Sequence, residues 1–187
     1  MSYFIGMDFA DIAKTEKNLV FLSYKHKDFA DKKSMDQFDL RILDALQKDA
    51  TLSVSDLAER VGLSHTPCWR RLRKLEKDGV ILGRKALLDA KALGLGVTVF
   101  AEVRLKVHDE ETLEAFEASV RKCDEIMDCF TVSGERDYQL RVLVKNVSEY
   151  EELLKKVLLH LPNVASINSI FVLKSVKQTT HIPILSL

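Results

Sequence analysis

The sequence predicts an α+β chain of two modules, a winged helix-turn-helix followed by a ferredoxin-like βαββαβ sandwich. Three observations carry that prediction. Residues 57–79 read as two amphipathic helices joined at Gly62, and residues 97–107 alternate apolar and polar side chains with a period of two. From there helix and strand patterns follow one another in the order βαββαβ. With 187 residues, 47% hydrophobic and 30% charged, the chain can fill one or two proper cores.

The first 34 residues are the least readable. Phe4, Ile5, Phe9 and Ile12 suggest a short amphipathic turn and Leu19-Val20-Phe21-Leu22 an apolar patch, neither with caps. Residues 1–34 are therefore expected to be a weakly ordered extension, with Met35 placed like a natural chain start. The helix-turn-helix module spans 35–79. Its first helix is predicted over 37–47, where Phe38, Ile42, Leu43 and Leu46 share a stripe. The second is predicted over 54–61, with Ser53 as N-cap, Asp56 in the capping-box position and Leu52 stapled onto Leu57. Gly62 supplies the left-handed residue that ends this helix, Leu63 tucks under the corner, and Ser64 caps the next. Pro67 falls in the first turn, where a missing N–H costs nothing. Gly79 stops the third helix, and residues 80–88 read as a strand or wing within a linker over 80–95.

The sandwich is assigned to 96–187 and opens on the half-buried strand at 97–107. A helix over 110–122 carries Leu113, Phe116, Val120 and Cys123 on one side. Strands over 127–133 and 138–145 flank Gly134-Glu135-Arg136-Asp137. Ser148, with Glu151 three residues on, marks a capping box for a helix that ends before Pro162. The last strand, 164–176, is apolar on both faces: Ile167, Phe171 and Leu173 on one, Val164, Ile170, Val172 and Val176 on the other. A two-layer sandwich covers only one sheet face. A partner subunit is the economical cover for the second, so the domain is expected to oligomerise.

Composition excludes several classes. Net charge is zero, which speaks against a generic polyanion binder, but its distribution is uneven. Asp36 to Leu88 holds ten basic and eight acidic residues, and Asp89 to Leu187 twelve and fifteen. Three cysteines without CxxC spacing make no disulfide framework, and five scattered histidines make no metal motif. No cofactor or catalytic residue is indicated. No run approaches ~18 apolar residues and no signal-peptide pattern opens the chain, so a cytoplasmic protein that does not engage the membrane is expected.

The helical wheel of the third helix indicates its use. Cys68, Leu72 and Leu75 fall on one side; Thr66, Arg70, Arg73 and Lys77 fall opposite, with Lys74 beside them and His65 and Trp69 on a flank. From Ser64 to Lys85 seven basic residues face two acids, Glu76 and Asp78. One-signed charge on an outward helix suits double-stranded DNA, by phosphate neutralisation and guanine-edge contacts. A solvated basic helix in a bundle is the alternative. Base reading is assigned to His65, Thr66 and Arg70, and phosphate contact to Ser53, Ser64, Arg73, Lys74 and Arg84. Arg71 lies toward the core side, placed to pair with an acid. Trp69 is expected to pack on the flank, with contact to a thymine methyl as the other option.

Together the two halves resemble the Lrp/AsnC, or feast/famine, family of bacterial and archaeal regulators over about residues 35–183. The matching stretches are Asp39-Leu40-Arg41-Ile42-Leu43, Leu57 to Ser64, Pro67-Cys68, Arg70-Arg71-Leu72 and Leu75 to Ile81. The rear half adds Gly134-Glu135-Arg136-Asp137-Tyr138 and Val176 to Pro183. The resemblance implies a sequence-specific transcription regulator whose DNA binding or assembly responds to an amino acid. It also implies dimers that build tetramers or octamers. Thr66 to Leu72 and Ala86-Leu87-Leu88-Asp89 are most similar to a branch that responds to cysteine and controls its detoxification. Relatives usually carry a smaller aliphatic residue where Trp69 stands.

Gly134, Glu135, Arg136, Asp137 and Tyr138 match the family's effector-site turn. Asp137 suits the ammonium of an amino acid, and N–H groups near Gly134, unblocked by a side chain, suit its carboxylate. Without the resemblance, an ordinary hairpin loop is the plainer reading. An enzyme is disfavoured because no nucleophile–base pair or glycine-rich phosphate loop is present. RNA binding is disfavoured because Tyr138 to Lys145 holds a single aromatic and no ribonucleoprotein signature. A nucleoid-type protein that wraps DNA with little sequence preference remains the alternative function.

Overall fold

Asp36 sets where the first described helix begins. In the computed structural model, which describes residues 35–184, its carboxylate accepts from the N–H groups of Phe38 and Asp39 at 2.9 and 3.0 Å. Asp39 answers by accepting from the Asp36 N–H. This reciprocal capping box starts α1, Gln37–Lys48. The predicted extension over residues 1–34, with its amphipathic turn and apolar patch, lies outside the described residues.

The second helix, α2, covers Val54–Val61, the range its caps predict: Ser53 Oγ accepts from the Asp56 N–H, and Gly62 adopts φ 73°. The Leu63 N–H then reaches back to the Ala58 carbonyl at 2.9 Å, turning the chain into α3, His65–Lys77. Ser64 has the extended N-cap backbone, but its hydroxyl makes no capping bond. Beyond Asp78 and the left-handed Gly79, the N–H groups of Val80 and Ile81 both close on the Leu75 carbonyl. Ile42, Leu57 and Cys68 are fully buried where the three helices meet, with Val61, Leu72 and Leu75 beside them. Residues 80–88 form no strand. Ile81 packs on the helical core, and the rest run on unpaired by any described strand.

Residues 35–87 group with 177–184 in one unit, and 88–176 form the other. The tail packs with the helices. Gln47 holds it at two points: its amide nitrogen donates to the Ile182 carbonyl and its amide oxygen accepts the Ile182 N–H, at 3.1 and 2.7 Å.

The second unit follows the predicted order: β1 (Val97–Leu105), α4 (Glu110–Val120), β2 (Ile126–Thr131), β3 (Tyr138–Val144), α5 (Val147–Lys156) and β4 (Val164–Phe171). The sheet runs β2-β3-β1-β4, every neighbouring pair antiparallel. Val99, Ala101 and Val103 alternate into the helix-covered face against Tyr138, Leu140 and Val142, and Phe116 of α4 closes over them. Two boundaries differ from expectation. The cap of α5 is Asn146, whose side chain accepts the Glu149 N–H at 2.9 Å, so the helix starts before Ser148. It also gives way after Lys156 to a 3₁₀ turn, Leu158–His160, rather than continuing to Pro162. The last strand stops at Phe171, where its register with Val99 of β1 is nearly exhausted, leaving Leu173 and Val176 outside the sheet.

Asn146→Ala is expected to destabilise the chain by about 1 kcal/mol through loss of the cap, and Ser148→Ala by under about 0.5 kcal/mol. Urea unfolding of the two variants checks this, and the reverse ranking would restore the Ser148 cap.

Candidate nucleic-acid interface and effector turn

The third helix presents its cations as the wheel predicts. Cys68, Leu72 and Leu75 are buried, while His65, Thr66, Arg70, Arg73, Lys74 and Lys77 are exposed. The side chains of His65, Thr66, Arg70 and Lys74 make no hydrogen bond or ion pair among the described residues. Arg73 is held on both sides: its guanidinium lies 5.8 Å from the centre of the Trp69 ring and 3.1 Å from Glu76 Oε2. Glu76 also stands 3.8 Å from Arg84 Nη2. Trp69 departs from its expected packing. It is 46% exposed, and its ring lies under a cation on the helix surface.

Ser53 and Arg71 on this unit have settled partners. Ser53 Oγ accepts from the Asp56 N–H and donates to Asp56 Oδ2 at 2.6 Å, so the hydroxyl proton is committed to its own helix. Arg71 turns away from the exposed face, as anticipated. Its Nη1 lies 2.6 Å from Asp36 Oδ2 and 2.8 Å from Asp39 Oδ1. The backbone N–H of Asp39 first, and then Arg71, hold the Asp36 carboxyl below the usual range.

On the sandwich, antiparallel pairing of β1 with β3 brings the end of β1 beside the turn that precedes β3. Gly134 sits at φ 120°, where a side chain is disfavoured, and the space a Cβ would enter is open. The Asp137 N–H continues the ladder to the Val103 carbonyl at 2.9 Å. Its carboxylate is engaged twice: Oδ2 accepts the Leu105 N–H at 2.7 Å, where β1 is bulged, and Oδ1 lies 2.8 Å from His108 Nε2. His108 is the residue the sequence reading missed. Position along the chain does not link it to Asp137, but the β1–β3 register does. Glu135 is exposed, and Arg136 lies 3.8 Å from Glu102.

Tyr138 is not on the turn's surface. Its ring is buried with Phe116 at 4.6 Å, and its hydroxyl donates to Glu117 Oε1 at 3.1 Å. The same tyrosine lines a cavity of about 310 Å³ with Glu117, Arg121, Cys129 and Thr131, between α4 and the edge strand β2. Burial pushes the Cys129 thiol up to about 11, helped by the charge of Glu117. Burial and a contact with Glu125 push Cys123 to about 11 as well. Among the described residues no group of histidine, cysteine and carboxylate is placed to hold a metal, and no helix is long and apolar enough to cross a membrane.

Comparison with known proteins finds two family matches: a winged helix-turn-helix DNA-binding domain at residues 35–81 and an Lrp/AsnC ligand binding domain at 98–182. A glutamate uptake regulatory protein of Zymomonas mobilis is 39% identical over 81% of this chain and 92% of its own length. The DNA-binding transcriptional activator DecR of Escherichia coli is 38% identical over 80% of this chain and 99% of its own. Among solved structures, the transcriptional regulator NMB0573/L-Met complex from Neisseria meningitidis superposes with a TM-score of 0.76 at 37% identity. That match covers 80% of this chain and 97% of the other.

The raised thiols predict slow chemistry. At pH 8, Cys123 and Cys129 should alkylate on the order of twenty-fold more slowly than an unperturbed thiol, the scarcity of thiolate being partly offset by its greater nucleophilicity. Mass-spectrometric rates with iodoacetamide check this, and rates close to those of a free thiol would show that the groups are not held neutral.

Proposed function

The chain belongs to the Lrp/AsnC family of transcription regulators, and from that premise we propose which of its residues read DNA and which receive the effector. As a member it is a DNA-binding transcriptional regulator responsive to amino-acid effectors, with a winged helix-turn-helix and a βαββαβ ligand-binding domain. The family is one of regulators, not enzymes. The observation that carries the assignment of residues is the face of α3: its three buried side chains set which side meets the core and leave His65, Thr66, Arg70 and Lys74 outward together.

In this reading α3 enters the major groove. His65, Thr66 and Arg70, in its first half, read base edges, as side chains at the start of a recognition helix do. Phosphate contacts come from Lys74, Arg73 and Arg84, and from Ser64, whose uncommitted hydroxyl stands at the helix N-terminus with the first N–H groups. Ser53, at the N-terminus of α2, contributes by turning its hydroxyl proton from Asp56 to the phosphate. Breaking the Glu76 pairs of Arg73 and Arg84 costs little, because exposed ion pairs are worth about 0–1 kcal/mol.

The effector turn is Gly134, Glu135, Arg136 and Asp137, with Tyr138 supporting it from beneath. An amino acid's carboxylate would meet backbone N–H groups beside Gly134, and its ammonium would share Asp137 Oδ1 with His108. Cysteine is the first effector to test, on the Thr66–Leu72 and Ala86–Asp89 stretches. The names of the relatives point elsewhere as well, to glutamate and to methionine, so a panel is needed. The chain works as a homodimer, extended to tetramers or octamers, in the cytoplasm. The uncovered sheet face supports this: Phe100 pairs with Ile170 there, and Phe130 is 56% exposed.

Two outcomes test the assignment. Arg70→Ala should weaken binding to a selected duplex by about 1–3 kcal/mol more than to a scrambled one. Fluorescence anisotropy reads both, and equal losses would remove Arg70 from base reading. Asp137→Asn keeps an acceptor for the Leu105 N–H while removing the charge. It should leave DNA affinity without effector unchanged and abolish the thermal shift that L-cysteine, L-methionine or L-glutamate gives the wild type. A variant that keeps the full shift would place the ammonium elsewhere.

A further inference from the structure

We propose that Arg71 is a positioning residue for DNA recognition: by joining Asp36 and Asp39 it fixes the roll of α3 about its own axis and so aims His65, Thr66 and Arg70. The inference rests on the assignment of α3 as the reading helix. The sequence groups Arg71 with the basic residues around it, but the geometry separates it from them.

Its guanidinium closes on the capping box of α1. In that box each carboxylate uses one oxygen for the helix end and offers the other to Arg71. Asp36 Oδ1 takes the N–H groups of Phe38 and Asp39, leaving Oδ2 for Arg71 at 2.6 Å. Asp39 Oδ2 takes the Asp36 N–H, leaving Oδ1 for Arg71 at 2.8 Å. Asp39 is the buried charged residue of the described chain, 5% exposed. The guanidinium also lies 5.6 Å from the centre of the Phe38 ring, so three side chains of the first turn of α1 and its cap receive it. The acceptors are themselves pinned by backbone hydrogen bonds and present a fixed target.

What this adds to apolar packing is direction. Cys68, Leu72 and Leu75 lie along one narrow stripe, and a helix resting on a single stripe resists translation better than it resists rolling. Arg71 stands about 70° round the wheel from that stripe, at 100° per residue. A fixed contact there opposes roll. The sensitivity is large: a roll of ~15° moves a side-chain tip ~6 Å from the axis by ~1.5 Å. Base-edge hydrogen bonds tolerate a range of about 0.5 Å. A phosphate contact through a long, flexible cation tolerates far more, so loss of aim falls mainly on specificity.

The test uses the full chain and a duplex that the wild type selects from a random pool, compared with a scrambled duplex over a range of salt. Arg71→Ala should lose at least ten-fold in affinity for the selected duplex, with little change for the scrambled one. Its salt slope should match the wild type, because no phosphate contact has been removed. Arg73→Ala is the contrast and should lower the slope by about one on both duplexes. Arg71→Lys should recover only part of the loss, since both carboxylates meet Nη1 at the tip of a planar guanidinium, a position that the shorter lysine side chain and its compact ammonium reproduce less well. Asp36→Asn keeps the cap but not the charge, and should show a smaller loss of the same kind. Should Arg71→Ala fail to fold by circular dichroism, Arg71→Lys and Asp36→Asn decide by the same comparison. A slope reduced as in Arg73→Ala, or losses equal on the two duplexes, or no loss at all, overturns the proposal. If Arg70→Ala keeps full specificity, the assignment of α3 as base reader has failed instead, which separates that failure from this one.

Discussion

Three buried side chains hold a thirteen-residue helix that carries five cations, and everything the first unit does follows from that constraint. Burying Cys68, Leu72 and Leu75 stabilises the module by roughly 1.5–3 kcal/mol for each leucine and less for the cysteine. Repulsion among Arg70, Arg71, Arg73, Lys74 and Lys77 opposes it. Glu76 relieves part of that repulsion at the far end, and Asp36 and Asp39 relieve more beside α1. The remaining charge points outward because any other rotation would bury a cation and expose the stripe. The exposed basic face is thus a consequence of core packing. It needs no separate stabilisation of its own.

The sandwich shows the same economy. Asp137 belongs to the turn proposed to receive the effector, and it also closes the bulged end of β1 through the Leu105 N–H. One carboxylate therefore ties the turn before β3 to the edge of the core. His108 shares its other oxygen and is itself half exposed, so the approach to that oxygen lies on the surface. A charge arriving at Asp137 acts on a group already fastened to β1 and to the loop that follows it. That is a mechanical route from the turn into the sheet, built from a short hydrogen bond rather than from a moving loop.

The elements most legible in the sequence are those whose ends are written locally. For α2, Ser53 and Gly62 supply both caps within a residue of the boundary, and the range came out as read. For α5 two capping residues stand two apart; Asn146 is chosen because β3 ends at Val144 and the chain must turn at once, with Glu149 Oε2 taking the Lys145 N–H. Strand ends are written elsewhere. Residues 80–88 and those beyond Phe171 are apolar enough for strands, but no described strand lies opposite them. The basic face was legible because a helical wheel is a local property. The His108–Asp137 pair was not, because it exists only once β1 and β3 have found their register. Tyr138 was legible as a neighbour of the turn but not as a core residue, since alternation along β3 does not say which phase faces α4.

The strength with which each cation is held decides how many of them are available to a polyanion. Arg71 is bound to two carboxylates, one of them buried, and freeing it would strand a charge at Asp39, a cost of several kcal/mol for a desolvated group. No phosphate contact at the surface returns that much. Arg73 and Arg84 share one partly exposed partner, and an exchange from Glu76 to phosphate is close to neutral apart from the counterions released. Arg70 and Lys74 have nothing to give up. The seven cations counted between Ser64 and Lys85 therefore divide by the burial of their partners rather than by their position in the run. Arg71 is committed to the protein's own carboxylates, and the exposed members stay available to a polyanion.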